Sequence, residues 1–244
     1  MTVRRIIATS GGFMASDNYE LARPGNTILE ALRITGKVRP RVCLLQTASG
    51  DPAANYLRGY EALTRIGCDV THLSLFTMPT HDPFEVLTSS DLVWVGGGSV
   101  ANLLAVWRVH RVDEAMAEAW DRGVILGGVS AGSICWHIGG ATDSFGPTLR
   151  PITNGLGLLP YGNGVHYDSE PQRRPFIQQL VAKGTFTTAF CTDDRVGILY
   201  EGTEPVRVIT DNDVDPATGP AAYRVEAVGG EPVETRLAPG GVSA

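Results

Sequence analysis

Two uninterrupted apolar runs constrain the fold more than any other feature of the chain. They are Val42-Cys43-Leu44-Leu45, within 41–46, and Leu92-Val93-Trp94-Val95, within 91–95. A strand with one wet face alternates apolar and polar residues, so a run without alternation is covered on both faces. The stretches between such runs carry helical periodicity. Thr27 and Glu30 have the spacing of a capping box, Ile28, Leu29 and Leu32 give an apolar face, and Gly36 is a stop. Asp51-Pro52 opens a second helix, with Tyr56, Leu57, Tyr60, Leu63 and Ile66 on its period and Gly67 at its end. Further helices are expected at 99–109 and 113–120, and short strands at 6–9, 70–75 and 124–126, with 79–83 as loop. This βα repetition predicts a three-layer α/β/α sandwich around a mainly parallel sheet.

The last part reads differently. Segments 187–191, 196–200, 206–210, 222–228 and 233–237 are strand-like, turn formers separate them, and no helical segment follows Val181. They are expected to add antiparallel strands, as sheet-edge strands and a meander, to one domain spanning 1–244. That domain has a core at about 5–210, a β extension at about 205–238 and a frayed end at 239–244. A hydrophobic content of 43% with 19% charged residues supports a sizeable core. The net charge is −6, and the basic groupings are no longer than pairs such as Arg4-Arg5 and Arg173-Arg174, so no nucleic-acid partner is expected. No window reaches the roughly 18 apolar residues of a membrane span, and the N-terminus lacks a signal peptide's apolar region. The expectation is a cytoplasmic monomer or homodimer with no membrane partner. Cys43, Cys68, Cys135 and Cys191 form no C-x-x-C and are expected as buried free thiols.

The chemistry concentrates at Gly128-Val129-Ser130-Ala131-Gly132, after the strand at 124–126. A serine on a tight strand-to-helix turn needs small neighbours, and glycine two before and two after lets the backbone pass closely. Strain is expected at Ser130, and the amide of Ala131 is free to face an oxyanion. The alternative is a glycine-rich turn with a capping serine. Gly96-Gly97-Gly98-Ser99 leaves bare amides at a strand end, where open α/β sheets bind ligands, and one of them suits a second oxyanion donor. A phosphate loop is the rival, but neither Gly-x-Gly-x-x-Gly nor Gly-Lys-Ser/Thr is present. A base is sought among five histidines. His166 lies in an irregular, polar, glycine-rich stretch at 162–168. His137 reads as two turns down the helix after Ser130, His110 as a helix end, His72 as strand and His81 as loop. No metal-ligand spacing recurs, so no metal and no cofactor are expected. For the acid that orients the imidazole, Asp143, Asp168, Glu170, Asp193 and Asp194 all remain open.

The set Gly96-Gly97-Gly98-Ser99, Gly128-Val129-Ser130-Ala131-Gly132, Thr142-Asp143, Asn163 and His166-Tyr167, with the histidine 36 residues after the serine, resembles the peptidase E and cyanophycinase family, peptidase family S51. The resemblance covers about 5–210 and implies a fold like that of class I glutamine amidotransferases. It implies Ser130 as nucleophile, His166 as base, Asp143 as acid, and oxyanion amides at Gly98 and Ala131. Two departures bear on substrate rather than chemistry: Ser99 stands where peptidase E usually has asparagine, and Ser133-Ile134-Cys135-Trp136 follows the serine turn. The resulting expectation is a serine peptidase working through an acyl-enzyme on short peptides, extending to dipeptides with an acidic N-terminal residue. Ser99 and Asn163 are candidate substrate contacts, and Arg150, Arg173 and Arg174 are candidate partners for an acidic side chain. The competing readings are a non-enzymatic ligand-binding or regulatory protein on the same fold, and an esterase or amidase using the same serine.

Overall fold

The structure, a computed structural model, describes residues 3–16, 22–79, 81–212 and 214–242. Its elements in chain order begin with β1 (Arg5–Thr9), β2 (Phe13–Met14), β3 (Arg23–Pro24), α1 (Asn26–Thr35), β4 (Arg41–Leu45), α2 (Ala53–Thr64), β5 (Asp69–His72) and α3 (Pro83–Thr88). There follow β6 (Leu92–Val95), α4 (Val100–His110), α5 (Val112–Asp121), β7 (Ile125–Val129), α6 (Ala131–Ile134), β8 (His137–Thr142), β9 (Arg150–Ile152) and β10 (Leu159–Gly164). The last are α7 (Arg173–Ala182), β11 (Thr188–Thr192), β12 (Val196–Glu201), β13 (Glu204–Thr210), β14 (Ala222–Val228), β15 (Glu231–Leu237) and β16 (Gly240–Gly241).

The main sheet runs β16-β13-β12-β1-β7-β6-β4-β5. Its β1-β7-β6-β4-β5 part is parallel, and β12, β13 and β16 are antiparallel additions beyond β1. The apolar runs explain themselves by their period of two. Val42, Leu44, Leu92 and Trp94 face α1 and α2, packing with Ile28, Leu32, Tyr56 and Leu63. Cys43, Leu45, Val93 and Val95 face the other way, into a cluster with Leu103, Leu104 and Trp107 of α4 and Met116 of α5. Both faces are covered, so neither register position is polar. This is the expected sandwich.

A second, six-stranded sheet, β15-β14-β11-β10-β8-β9, was not anticipated. Trp136, Ile152, Leu159 and Phe190 on and beside it join the cluster of the main sheet through Ile198 and Tyr200. On its other face α7 buries Ile177, Leu180 and Val181 against Ala141, Ala189 and Cys191. The five C-terminal strands are present near their expected positions, but they do not form one meander. β12 and β13 extend the main sheet, and β11, β14 and β15 complete the second.

Other expectations are corrected in detail. The helix after Ser130 is one turn long, and His137 opens β8 instead of lying on that helix. Residues 162–164 belong to β10. Residues 83–88 form α3, whose cap Asp82 accepts from the Phe84 N–H at 2.7 Å. The capping box at Thr27 does not form. The cap is Gly25, and the Thr27 N–H and hydroxyl both donate to the buried Asp211 carboxylate at 2.8 Å. Leu29, Leu57 and Ile66 are exposed. Gly36 does end α1, at φ 65°, and all four cysteines are buried and free. Among the described residues no helix is long and apolar enough to cross a membrane.

Candidate active site

Ser130 stands between β7 and α6 at φ 57° and ψ −112°, a backbone conformation that L-residues rarely adopt. The glycines on either side make this turn possible. A Cβ on Gly128 would lie 2.4 Å from the Gly132 carbonyl oxygen, and one on Gly132 would lie 2.4 Å from the Val95 carbonyl oxygen. The chain thus folds back on itself and onto β6 with backbone in contact, and Ser130 is left at the apex. Its N–H donates to the Thr9 carbonyl at 3.0 Å, and its own carbonyl accepts from the Ser133 and Ile134 amides. The expected strained elbow is therefore present.

The glycine loop after β6 meets this apex. Gly98 adopts φ 137°, where a side chain would strike the Ala48 carbonyl. Ser99 caps α4, its Oγ accepting from the Asn102 N–H at 3.2 Å. The amides of Gly98 and Ala131 have no protein acceptor among the described residues, which leaves both available to an oxyanion beside Ser130.

His166 follows β10, at φ 53°. Its N–H donates to the Ser10 hydroxyl at 3.0 Å. The Ser10 hydroxyl also reaches Thr192, at the end of β11, by its carbonyl (3.0 Å) and its hydroxyl (2.7 Å). Two residues on, Asp194 places Oδ1 2.5 Å from His166 Nδ1. A carboxylate only accepts, so Nδ1 carries the proton and Nε2 of the neutral ring keeps its lone pair. The ring is 24% exposed and the carboxylate 43%, so the pair is at the surface of a cleft, not in the core. The Asp194 N–H is fixed in turn by Asp168 Oδ1 at 2.8 Å.

The structure does not pair His166 with Asp143. Asp143 sits on the turn after β8, 62% exposed, and its nearest charged partner is Arg173, at 3.9 Å. The physical reason is topological. β8 and β11 both flank β10 in parallel, so the segments after both reach the end that carries His166; the one after β11 puts Asp194 on the ring, and the one after β8 puts Asp143 beside Arg173.

Ser130 and His166 open onto one cleft of about 350 Å³, lined also by Gly98, Ser99, Asp143, Ser144, Glu170 and Arg173. No hydrogen bond joins the serine to the imidazole across it among the described residues; such contacts commonly tighten only when substrate is bound. Of the three candidate arginines, Arg173 alone lines the cleft. It is 3% exposed and donates to Glu170 at 2.6 Å and to the Ala141 carbonyl at 2.5 Å. Arg150 lies over the Phe145 ring, and Arg174 stacks on Tyr167 and Tyr223 and pairs with Glu234, away from the cleft. Asn163 is buried and structural, accepting from the Ser133 hydroxyl at 3.0 Å and donating to the Phe190 carbonyl at 3.0 Å. His137 is fully buried, with burial lowering its pKa to about 4, so it stays neutral and away from the chemistry. Among the described residues no group of histidine, cysteine and acidic side chains is arranged to hold a metal.

The contributions of Ser10 and Glu170 went unrecognised. The sequence offers Glu170 as an acid for the imidazole, whereas in the structure it pairs with Arg173, and Ser10 carries no sequence signal beyond its place at the end of β1.

Comparison with known proteins gives a consistent picture. Residues 6–208 match the sequence model of peptidase family S51. The chain is 34% identical over 226 residues to the "Uncharacterized peptidase YgaJ" of Bacillus subtilis (strain 168), covering 91% of this chain and 92% of that one. The crystal structure of a peptidase from an acI-B1 Actinobacterium superposes with a TM-score of 0.69 at 17% identity, covering 99% of this chain and 97% of that one. A structure from Listeria monocytogenes EGD-e gives 0.59 at 18% identity, covering 87% and 100%. At such identities these two structures bear on the fold alone.

Proposed function

We propose that this chain, which belongs to peptidase family S51, hydrolyses short peptides through a covalent acyl-enzyme on Ser130. The observation that carries the reading is the strained Ser130 elbow opening onto the same cleft as His166, whose Nδ1 is held by Asp194. In the proposed sequence His166 Nε2 takes the proton of the Ser130 hydroxyl as Oγ attacks the peptide carbonyl. The charge that develops on the carbonyl oxygen is met by the Gly98 and Ala131 amides, held in place by the glycine loop and the serine turn. Asp194 holds the ring in the required tautomer and stabilises the imidazolium. As the C–N bond breaks, the imidazolium gives that proton to the departing amine; water, deprotonated by the same Nε2, then attacks the ester, and the proton returns to Ser130 Oγ as the acid leaves.

On the acyl side, Arg173 supports a preference for an acidic residue, because it is the cation lining that cleft and presents a fork of donors. Glu170 and Asp143 share its charge, which tempers the preference and leaves room for the substrate's ammonium group. The test is hydrolysis of Asp-X, Glu-X, Ala-X and Leu-X peptides by the native protein and by Ser130→Ala. Turnover that disappears in the variant, with covalent labelling of Ser130 by a serine-directed phosphonate, is expected. Undiminished hydrolysis by Ser130→Ala overturns the assignment. Equal rates across the panel overturn the acidic preference alone.

A further inference from the structure

The hairpin of β14 and β15 lies beyond residues 6–208, and none of its side chains lines the cleft of Ser130 and His166. Its hydrogen bonds nevertheless lead to both members of the His166–Asp194 pair. β14 runs antiparallel to β11, with Tyr223 opposite Cys191 and Ala222 opposite Thr192. Where β11 ends, the Val196 N–H donates to the Asp193 carbonyl at 3.1 Å and closes a turn with Asp194 and Arg195 at its corners. Asp193 anchors that turn to the hairpin. Its N–H donates to the Ala221 carbonyl at 3.1 Å, and its Oδ2 accepts from the Ala221 N–H at 2.9 Å and from the Tyr223 hydroxyl at 3.2 Å.

A second connection starts from Glu234 on β15. Its carboxylate accepts from the Tyr167 hydroxyl at 2.8 Å and pairs with Arg174 of α7. Tyr167 is the residue after His166, and its N–H donates to the Thr192 carbonyl at 3.1 Å. The Arg174 guanidinium lies 4.5 Å from the ring centres of both Tyr167 and Tyr223, so one cation joins the two connections.

Stability alone does not account for this arrangement. Asp193 is 3% exposed, and its Oδ1 has no partner among the described residues, which costs folding free energy. What the arrangement supplies is placement. His166 and Asp194 come from separate segments, and the Asp194 carboxylate is 43% exposed, so core packing does not aim it. Its reach to the ring, 2.5 Å, depends on where the turn puts its backbone. We infer that the β14–β15 hairpin positions the base and its acid: Tyr223 sets Asp194 by way of Asp193, and Glu234 sets His166 by way of Tyr167. The inference rests on the acyl-enzyme reading above, in which the imidazole takes and returns the proton. Neither tyrosine lines the cleft, so both act on the proton transfer and not on substrate binding.

The experiment uses the full-length chain with Tyr223→Phe and Tyr167→Phe, each of which removes one hydroxyl and keeps the ring beside Arg174. On the panel peptide turned over fastest, each is expected to lower kcat about fivefold, the effect of one hydrogen bond, with KM within about twofold. Labelling of Ser130 by the phosphonate slows by the same factor. Glu226→Gln, which breaks an ion pair with Arg224 on the same strand, is the control and leaves both rates unchanged. In Asp194→Ala the group that Tyr223 aligns is gone, so adding Tyr223→Phe changes the labelling rate by less than about twofold. A full fivefold loss in that background would place the effect of the hydroxyl on the fold at large and overturn the inference. A tyrosine variant that behaves like Glu226→Gln, or that changes KM alone, overturns it while the native activity leaves the acyl-enzyme reading standing. A native protein that neither turns over a peptide nor takes the label overturns that reading and the inference with it.

Discussion

Replacing Ser130 by glycine is expected to stabilise the protein while ending turnover. The residue sits at φ 57° and ψ −112°, and a non-glycine residue held in so sparsely populated a region costs about 1–3 kcal/mol. Glycine enters that region without a Cβ clash, but its greater freedom in the unfolded chain takes back about 0.5–1 kcal/mol. The reference is Ser130→Ala, which also removes the hydroxyl but keeps the Cβ that causes the strain. The glycine variant should therefore exceed the alanine variant by about 1 kcal/mol. With about 2.1 cal/mol/K of unfolding entropy per residue over 244 residues, this amounts to about 2 °C in Tm. Differential scanning calorimetry of the two inactive variants, side by side, measures it. A glycine variant that melts at or below the alanine variant would show that the elbow stores no strain.

Asp194→Asn is expected to lower kcat by about a thousandfold, because the ring loses the group that fixes its tautomer, whereas Asp143→Asn costs less than about tenfold. Steady-state kinetics on one peptide separates them, and the reverse order would return the orienting role to Asp143. Burial raises the pKa of Asp193, whose Oδ1 has no partner among the described residues, above the ordinary 3.8. The folded state thus holds this proton more tightly than the unfolded state. The resulting stabilisation is complete below pH 3.8 and is lost as pH rises through the raised value. Asp193→Asn should flatten that part of the stability profile in urea titrations at several pH values, and an unchanged slope would argue against it. The four thiols are buried, with Cys43 pushed up to about 12 by desolvation. A thiol reagent should find none of them in the folded protein and four after unfolding; rapid labelling of the native state would contradict the packing.

The main sheet was legible because its signals are local. Val42 to Leu45 and Leu92 to Val95 carry no polar residue, and this lack of alternation directly reports burial on two faces. In the second sheet β11, β14 and β15 were legible as strands, but β8, β9 and β10 were not, because they are poor in the residues that mark strands. β8 reads His-Ile-Gly-Gly-Ala-Thr and β10 Leu-Pro-Tyr-Gly-Asn-Gly. Those glycines are there for contact: a Cβ on Gly139 would strike the Ile152 carbonyl oxygen, and one on Gly162 the Phe186 ring. Tertiary packing thus removed the propensity signal. The serine elbow was legible because its glycines bracket it within five residues. The partner of His166 was not, since β8 and β11 both flank β10 and the segments after both reach its end, so separation in sequence does not choose between them. Asp143, 23 residues before His166, shares the cleft but lies beside Arg173, and Asp194, 28 residues after, touches the ring.

The nucleophile and the base come from different sheets, yet both are measured from one short datum. Thr9 holds the backbone of Ser130, and Ser10, its neighbour, holds the backbone of His166 and the end of the strand that leads to Asp194. Positional errors of the two sheets relative to each other therefore enter the Ser130–His166 separation only in part, because a displacement of the datum carries both residues along. The alignment of the pair is in this sense self-calibrating. Drift accumulated in the outer strands of the main sheet, in the helices or in the walls of the cleft can change what the protein accepts without changing the spacing of the groups that react.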